Sequence, residues 1–168
     1  MTRILIVDDE PSVLAALRRA LRQRFGARLE IELHADPNDA LSRAREVDFD
    51  IIMSDLRMPG IDGITLLTLM STLQPHSVRL LLTASADFET AQRAINDAGL
   101  FRYLTKPWLE PELTAHMESA LAEVALRQPA DDPMERERAR LEALEPGLTH
   151  VEWGPQGEVL MPPLRGPA

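Results

Sequence analysis

The chain has 168 residues, with 27 acidic and 18 basic side chains and a formal net charge of -9. It contains no cysteine, which excludes a disulfide scaffold, a thiolate zinc site and a cysteine nucleophile. The negative charge argues against direct nucleic-acid binding, since phosphates are neutralised by a basic face. No apolar run approaches the ~20 residues of a membrane helix. We therefore expect a cytoplasmic protein without a membrane segment.

Short apolar runs alternate with segments of helical periodicity over residues 1–127. The runs predict strands, and they cover residues 4–7, 29–33, 49–53, 78–82 and 101–104. Apolar residues spaced at about 3.6 residues predict a helix after each run. Pro11 marks the first turn of the first helix, and Asp36-Pro37 marks the start of the second. Five strand–helix pairs in strict alternation predict an α/β fold with a doubly wound parallel sheet, covered by helices on both faces.

The last forty residues differ in composition, with seven of the 13 prolines of the chain. We predict one domain over residues 1–127, a linker over 128–133 and a C-terminal extension over 134–168. The extension is expected to hold a short helix and then a β-hairpin around a Gly-Pro-Gln-Gly turn. Packing on the first domain, pairing with a second chain and binding of a partner are the alternatives for this hairpin. The sequence of the extension lacks the length and the basic helix of a DNA-binding output domain.

Charged and hydroxyl side chains follow the predicted strands where each strand ends. Asp8 and Asp9 follow the first strand, Asp55 the third, Thr83 the fourth, and Lys106, the single lysine of the chain, the fifth. A doubly wound sheet binds its ligands beyond the carboxyl ends of its strands. Clustered carboxylates repel one another unless a cation lies among them. Oxygen ligands favour Mg²⁺, with Mn²⁺ as an alternative.

The same residue types suit phosphoryl transfer. A carboxylate is able to act as a nucleophile that carries a phosphoryl group. Phosphoryl transfer depends mainly on positioning and on neutralising the charge of the phosphoryl oxygens. A divalent cation and the ammonium of Lys106 would supply that neutralisation, and the hydroxyl of Thr83 would donate a hydrogen bond.

Four motifs give the chain a resemblance to a known family. They are Ile6-Val-Asp-Asp-Glu-Pro11, the run from Asp50 to Gly63, Leu81-Leu-Thr-Ala84 and Tyr103-Leu-Thr-Lys-Pro107. In this order and spacing they resemble the receiver domain of two-component response regulators, over roughly residues 2–126. The resemblance implies a flavodoxin-like sheet of order 2-1-3-4-5 and a phosphorylation-dependent signalling domain, not an enzyme acting on a separate substrate.

The resemblance also implies roles for individual residues. Asp55 would accept a phosphoryl group from a sensor histidine kinase or a phosphotransfer protein. Asp8, Asp9, Asp55 and the backbone carbonyl of Arg57 would bind Mg²⁺. Lys106 would pair with the phosphoryl group.

Two further residues are implied to be the switch that follows phosphorylation. Thr83 would move toward the phosphoryl group, and Tyr103 would rotate inward. The surface of the fourth helix, fifth strand and fifth helix would then bind a downstream protein or form a homodimer, for which the C-terminal extension is another candidate. A cis peptide bond is implied before Pro107, and Met58-Pro-Gly60 would cover the acceptor, with Gly60 and Gly63 supplying backbone freedom.

Other interpretations remain at this stage. The chain could be a fragment of a larger signalling enzyme whose output domain is absent, or a scaffold that is never phosphorylated. An aspartyl phosphatase of the dehalogenase type would need an Asp-x-Asp run after the first strand, where this chain has Asp8-Asp9-Glu10. A flavodoxin-like cofactor binder would need a first loop that attracts phosphate, whereas Asp8 and Asp9 would repel it.

Overall fold

The computed structural model describes residues 1–84, 88–127, 152–153 and 159–160. The chain divides into two compact units, Met1–Gln128 and Pro129–Ala168. The linker over 128–133 and the helix expected after it lie outside the described residues. Among the described helices, none is both long enough and apolar enough to cross a membrane.

Strands and helices alternate through the first unit. The strands are β1 (Thr2–Val7), β2 (Leu29–His34), β3 (Ile51–Asp55), β4 (Val78–Thr83) and β5 (Arg102–Thr105). The helices are α1 (Pro11–Phe25), α2 (Pro37–Ala44), α3 (Gly63–Leu73), α4 (Phe88–Asp97) and α5 (Glu110–Arg127), with a 3₁₀ turn at Gly26–Arg28. In the second unit, β6 (Glu152–Trp153) and β7 (Val159–Leu160) pair antiparallel, in agreement with the predicted hairpin.

The five strands of the first unit form one parallel sheet of order β2-β1-β3-β4-β5. The predicted α/β fold and strand order are therefore confirmed. The third strand begins and ends two residues later than predicted, because hydrogen bonding and not apolarity sets its limits. The amide of Phe49 bonds to the side chain of Gln74, while Ser54 and Asp55 pair with β4.

The alternation of side chains along β1 explains why helices cover both faces. Ile4 and Ile6 pack on the face covered by α1 and α5. Leu5 and Val7 pack on the opposite face, with α2 and α3. All four side chains are fully buried, as expected for a strand covered on both sides.

Side-chain caps fix the starts of two helices beside the sheet. The carboxylate of Asp36 accepts a hydrogen bond from the amide of Asn38 at 2.8 Å, and Pro37 lies in the first turn of α2. Asp62 caps α3 in the same way, with the amide of Thr65 at 2.7 Å. These caps satisfy amides that a helix leaves without partners at its start.

Gln74 is a buried polar residue that links α3 to the segment between α2 and β3. Its amide group donates to the carbonyls of Ala44 and Val47, each at 2.7 Å, and its carbonyl accepts from the amide of Phe49 at 2.8 Å. We expect Gln74→Ala to reduce the free energy of unfolding by about 2–3 kcal/mol, because two buried hydrogen bonds and one partly buried hydrogen bond to the backbone are lost. Chemical denaturation measures the change. Gln23→Ala on the exposed face of α1 is the control, and an equal effect of both substitutions would contradict this role.

Candidate functional site

The carboxyl ends of β1 and β3 bring three aspartates together. Asp8 directly follows β1, and its amide extends the pairing with β2 by donating to the carbonyl of His34 at 3.2 Å. Asp55 is the last residue of the neighbouring strand β3. One carboxylate oxygen from each of Asp8, Asp9 and Asp55 lies within 4.8 Å of the others. Asp8 and Asp55 are buried, and Asp9 is more exposed.

Lys106 reaches this cluster from the end of β5. Its Nζ atom lies 2.7 Å from Oδ2 of Asp8 and 3.1 Å from Oδ1 of Asp55, and its side chain is only 12% exposed. Its amide donates to the carbonyl of Thr83 at 2.7 Å, which holds the end of β5 against β4. The peptide bond between Lys106 and Pro107 is cis, as the family resemblance implied.

The surroundings shift the protonation of both charged partners. Burial raises the pKa of the Asp55 carboxyl above its ordinary value of 3.8, and the charges of Asp8 and Asp9 add to this effect, which the Lys106 ammonium offsets only in part. Burial by itself would lower the pKa of Lys106, but its hydrogen bonds to Asp8 and Asp55 outweigh burial and raise the pKa above 10.5. Lys106 therefore stays charged, while Asp55 resists ionisation.

The charge balance of the cluster favours a divalent cation. Three carboxylates and one ammonium sum to a charge of -2 when all are ionised. A divalent ion would neutralise this charge and favour the ionised form of Asp55. Asp9 is the carboxylate of the cluster that is open to solvent. This suits Mg²⁺, which proteins bind through a few carboxylates while the ion keeps several waters. The residues present therefore fit the ion expected from the sequence.

The other residues expected at the site lie around the cluster. Thr83 is the last residue of β4, is only 4% exposed, and lies one residue beyond Leu82, the register partner of Asp55. Tyr103 lies in β5 with 39% of its surface exposed. Arg57 is exposed in the loop after β3, and metal binding by its carbonyl remains a prediction, as do the switch roles of Thr83 and Tyr103.

Gly63 is important to the site for a reason that differs from the expected backbone freedom. Its φ is not positive, whereas Gly60 has φ +83°. A Cβ atom on Gly63 would lie 2.1 Å from the carbonyl oxygen of Asp55 and 2.9 Å from Cα of Leu56. Gly63 also donates its amide to the carbonyl of Leu56 at 2.8 Å. The start of α3 thus packs directly on the backbone of Asp55. The one sequence signal near this contact is the pair Asp62-Gly63, which is typical of a helix start.

The raised pKa of Asp55 predicts how stability depends on pH and on Mg²⁺. A carboxyl whose pKa is higher in the folded state binds its proton more tightly there than when unfolded. The stability of the metal-free chain should therefore fall as pH rises from the ordinary value of 3.8 through the raised value. At neutral pH, Mg²⁺ at ten times its dissociation constant should add about 1.4 kcal/mol.

Thermal unfolding over a pH series, with and without MgCl₂, measures both effects. In Asp55→Asn, which lacks the titrating group, this part of the pH dependence should vanish and the effect of Mg²⁺ should shrink. A melting temperature that does not respond to Mg²⁺ at neutral pH would contradict the proposed ion site.

Residues 4–118 match the response regulator receiver domain family. Among curated proteins, transcriptional regulatory protein ZraR of Salmonella typhimurium is 38% identical over 119 residues, which are 71% of this chain and 26% of that protein. Hydrogenase transcriptional regulatory protein HoxA of Bradyrhizobium diazoefficiens is 32% identical over 118 residues, or 70% of this chain and 24% of that protein. The chain thus matches about a quarter of the length of these relatives.

Solved structures show the same architecture. The signal receiver domain of an HD domain-containing protein from Pseudomonas fluorescens Pf-5 is 30% identical, with a TM-score of 0.68, over 74% of this chain and 97% of that one. A response regulator receiver domain protein from Clostridium thermocellum is 25% identical, with a TM-score of 0.69, over 76% of this chain and all (100%) of that one.

Proposed function

Because the chain belongs to the response regulator receiver domain family, we propose that it accepts a phosphoryl group on Asp55 in a Mg²⁺-dependent reaction. The observation that carries this proposal is the position of Lys106, whose Nζ atom lies 3.1 Å from Asp55 and 2.7 Å from Asp8. The single lysine of the chain is thus in contact with both the acceptor and its neighbouring carboxylate. The dehalogenase-type phosphatase and the flavodoxin-like cofactor binder are not supported by the family match.

The chemistry assigned to each group follows from its surroundings. An oxygen of the Asp55 carboxylate attacks the phosphorus of a phosphohistidine, the phosphorus–nitrogen bond breaks, and an acyl phosphate forms on Asp55. Lys106 exchanges its contact with Oδ1 of Asp55 for one with the phosphoryl oxygens, and so offsets their charge. Asp8 holds Lys106 in place, because its Oδ1 atom is oriented by the amide of Glu10 at 2.9 Å while Oδ2 accepts from Nζ. Mg²⁺ bound by Asp8, Asp9, Asp55 and the Arg57 carbonyl would supply charge neutralisation at the transferring group.

The proposed response to phosphorylation uses β4, which pairs with the acceptor strand β3, and β5, which pairs with β4. Thr83 is the last residue of β4, beside the acceptor strand, and its hydroxyl would donate a hydrogen bond to the new phosphoryl group. Tyr103, exposed on β5, would turn inward beside it. The surface formed by α4, β5 and α5 would then change for a downstream protein or a second copy of the chain. The phosphodonor would be a sensor histidine kinase or a phosphotransfer protein in the cytoplasm.

The curated relatives bear on the output of this switch. They are named as transcriptional regulators and are about four times longer than the matched part, which is 24–26% of their length. This supports the interpretation that the chain is the receiver part of a larger signalling protein. A receiver that acts through its own C-terminal extension is the alternative, and comparing the partners bound by residues 1–128 and by the full chain would distinguish the two.

Labelling with acetyl phosphate and MgCl₂ tests the proposed reaction. We expect intact-mass spectrometry of the full chain to show the addition of one phosphoryl group, and peptide mapping after borohydride reduction to place it on Asp55. EDTA should prevent the addition. Absence of labelling at millimolar acetyl phosphate and Mg²⁺, with a chain shown to be folded, would favour the unphosphorylated scaffold.

A further inference from the structure

Arg79 is a buried charged residue near the start of β4, a strand whose residues are all buried. It is the second residue of β4, and only 6% of its surface is exposed. Its side chain shares a face of the strand with Leu81 and Thr83, because residues two apart point the same way. Among the described residues it forms no ion pair with a carboxylate. Burial lowers the pKa of Arg79, and the charge of Arg127 lowers it further.

The guanidinium of Arg79 bonds to the backbone at the C-terminal end of α4. Its Nε atom donates to the carbonyl of Ala98 at 2.9 Å, and its Nη2 atom lies 3.4 Å from the carbonyl oxygen of Gly99. These carbonyls follow a helix end, where a positive charge is stabilised by the helix dipole. Gly99 leaves room for the contact, since a Cβ atom there would lie 2.9 Å from Nη2, and its φ of +59° also favours glycine.

The same guanidinium shares a hydrogen-bond acceptor with the last residue of α5. Nη1 of Arg79 donates to the carbonyl oxygen of Ser77 at 2.9 Å, and Nη1 of Arg127 donates to that same oxygen at 2.9 Å. Arg127 is the last residue of α5, and Glu123 one turn earlier holds its Nε atom at 2.8 Å. We call the carbonyl of Ser77 and the two guanidinium groups bonded to it the Ser77 node.

We propose that the Ser77 node couples α4 to the end of α5, so that a displacement of α4 after phosphorylation is passed to the point where the chain leaves the receiver unit. This inference rests on the proposed function. Two hydrogen bonds make Arg79 a positioning residue. Its Nε atom donates to the carbonyl of Ala98 after α4, and its Nη1 atom donates to the carbonyl of Ser77, which also accepts from Arg127. Among the described residues, the hydrogen bonds of the node's two guanidinium groups do not reach Asp8, Asp9, Asp55 or Lys106.

Two features favour coupling over a purely structural role. A buried guanidinium without a carboxylate partner costs desolvation energy. An apolar residue of similar volume would avoid that cost but would leave the carbonyl of Ala98 without its bond from Nε. The two positive charges also converge on one oxygen, so that movement of either changes the electrostatic environment of the other. The described residues at these two helix ends share no backbone hydrogen bond with each other, so the node links them through side chains.

Backbone NMR of the full chain during phosphorylation by acetyl phosphate and MgCl₂ tests the coupling. In the unmodified chain we expect phosphorylation to shift the amide resonances of Ala98 and Gly99 and those of Glu123 to Arg127. In Arg79→Met, labelling of Asp55 should proceed at the same rate, while the shifts at the end of α5 should become at least about twofold smaller. A response at the end of α5 that is unchanged in Arg79→Met, or absent in the unmodified chain, would overturn the coupling.

A matched variant separates coupling from loss of stability. Leu41→Ala removes a core side chain of α2, a helix that supplies no atom to the node, and it should keep the full response at the end of α5. If Arg79→Met does not fold, Arg127→Met replaces it, since that side chain is only partly buried. A retained response at Ala98 with a reduced response at the end of α5 supports the node, and a full response at both ends refutes it. Failure of the unmodified chain to take up phosphate would instead refute the proposed function, and this inference with it.

Discussion

Asp55→Asn should abolish phosphoryl incorporation, with labelling by acetyl phosphate and MgCl₂ reduced by at least about 100-fold. The amide lacks the charge and the nucleophilic oxygen of the carboxylate, although it keeps nearly the same shape. We choose Asp55 as the acceptor because its Oδ1 atom lies 3.1 Å from Nζ of Lys106 and only 5% of the residue is exposed. Phosphate incorporation, measured by intact mass and by radiolabel, gives the result directly.

The same substitution should not reduce stability in the absence of Mg²⁺. Burial and the charges of Asp8 and Asp9 disfavour the ionised form of Asp55, so a neutral amide relieves repulsion in the folded state. Asp39→Asn, an exposed aspartate of α2, is the matched control and should leave labelling unchanged. Full labelling of Asp55→Asn would show that the phosphoryl group is carried elsewhere, and unfolding of this variant would contradict the electrostatic argument.

Gly63→Ala should have the largest effect on stability of any single methyl group added near the site. The new Cβ atom would lie 2.1 Å from the carbonyl oxygen and 2.8 Å from the carbonyl carbon of Asp55. Both atoms belong to the backbone, so no side-chain rotation relieves the overlap, and either α3 or the acceptor must move. We expect a loss of about 3 kcal/mol or more in the free energy of unfolding, beyond the usual range for overpacking.

Phosphorylation reports the second consequence of this substitution. If the variant folds, the acceptor backbone is displaced relative to Lys106, and labelling should slow by about tenfold or more, since catalysis by positioning is sensitive to shifts of an ångström. Gly60→Ala is the control: nothing lies within 4 Å of its Cβ, and its φ of +83° predicts a strain of only about 1–2 kcal/mol. A Gly63→Ala chain as stable and as active as the unmodified one would refute the close contact.

The local pattern of the sequence was sufficient for the fold and for much of the site. Period-2 and period-3.6 patterns depend on the geometry of single elements, and strict alternation of strands and helices leaves few topologies. Residues that follow parallel strands meet at one edge of the sheet, so the convergence of Asp8, Asp55 and Lys106 was predictable once the fold was. The limits of β3 were not predictable from the sequence. Phe49 lies outside the strand because its amide bonds to the side chain of Gln74, 25 residues away.

Other features depend on contacts that no pattern in the chain encodes. The reason for glycine at position 63 is a distance to the carbonyl of Asp55, across the loop that joins β3 to α3. The sequence shows Arg79 only as one charge in an apolar strand, whereas its role depends on Ala98 and Ser77. The sequence by itself thus determined the fold, the family and the residue types at the strand ends. Only the tertiary structure decided which atoms touch, because packing distances and shared hydrogen-bond acceptors arise when distant segments come together.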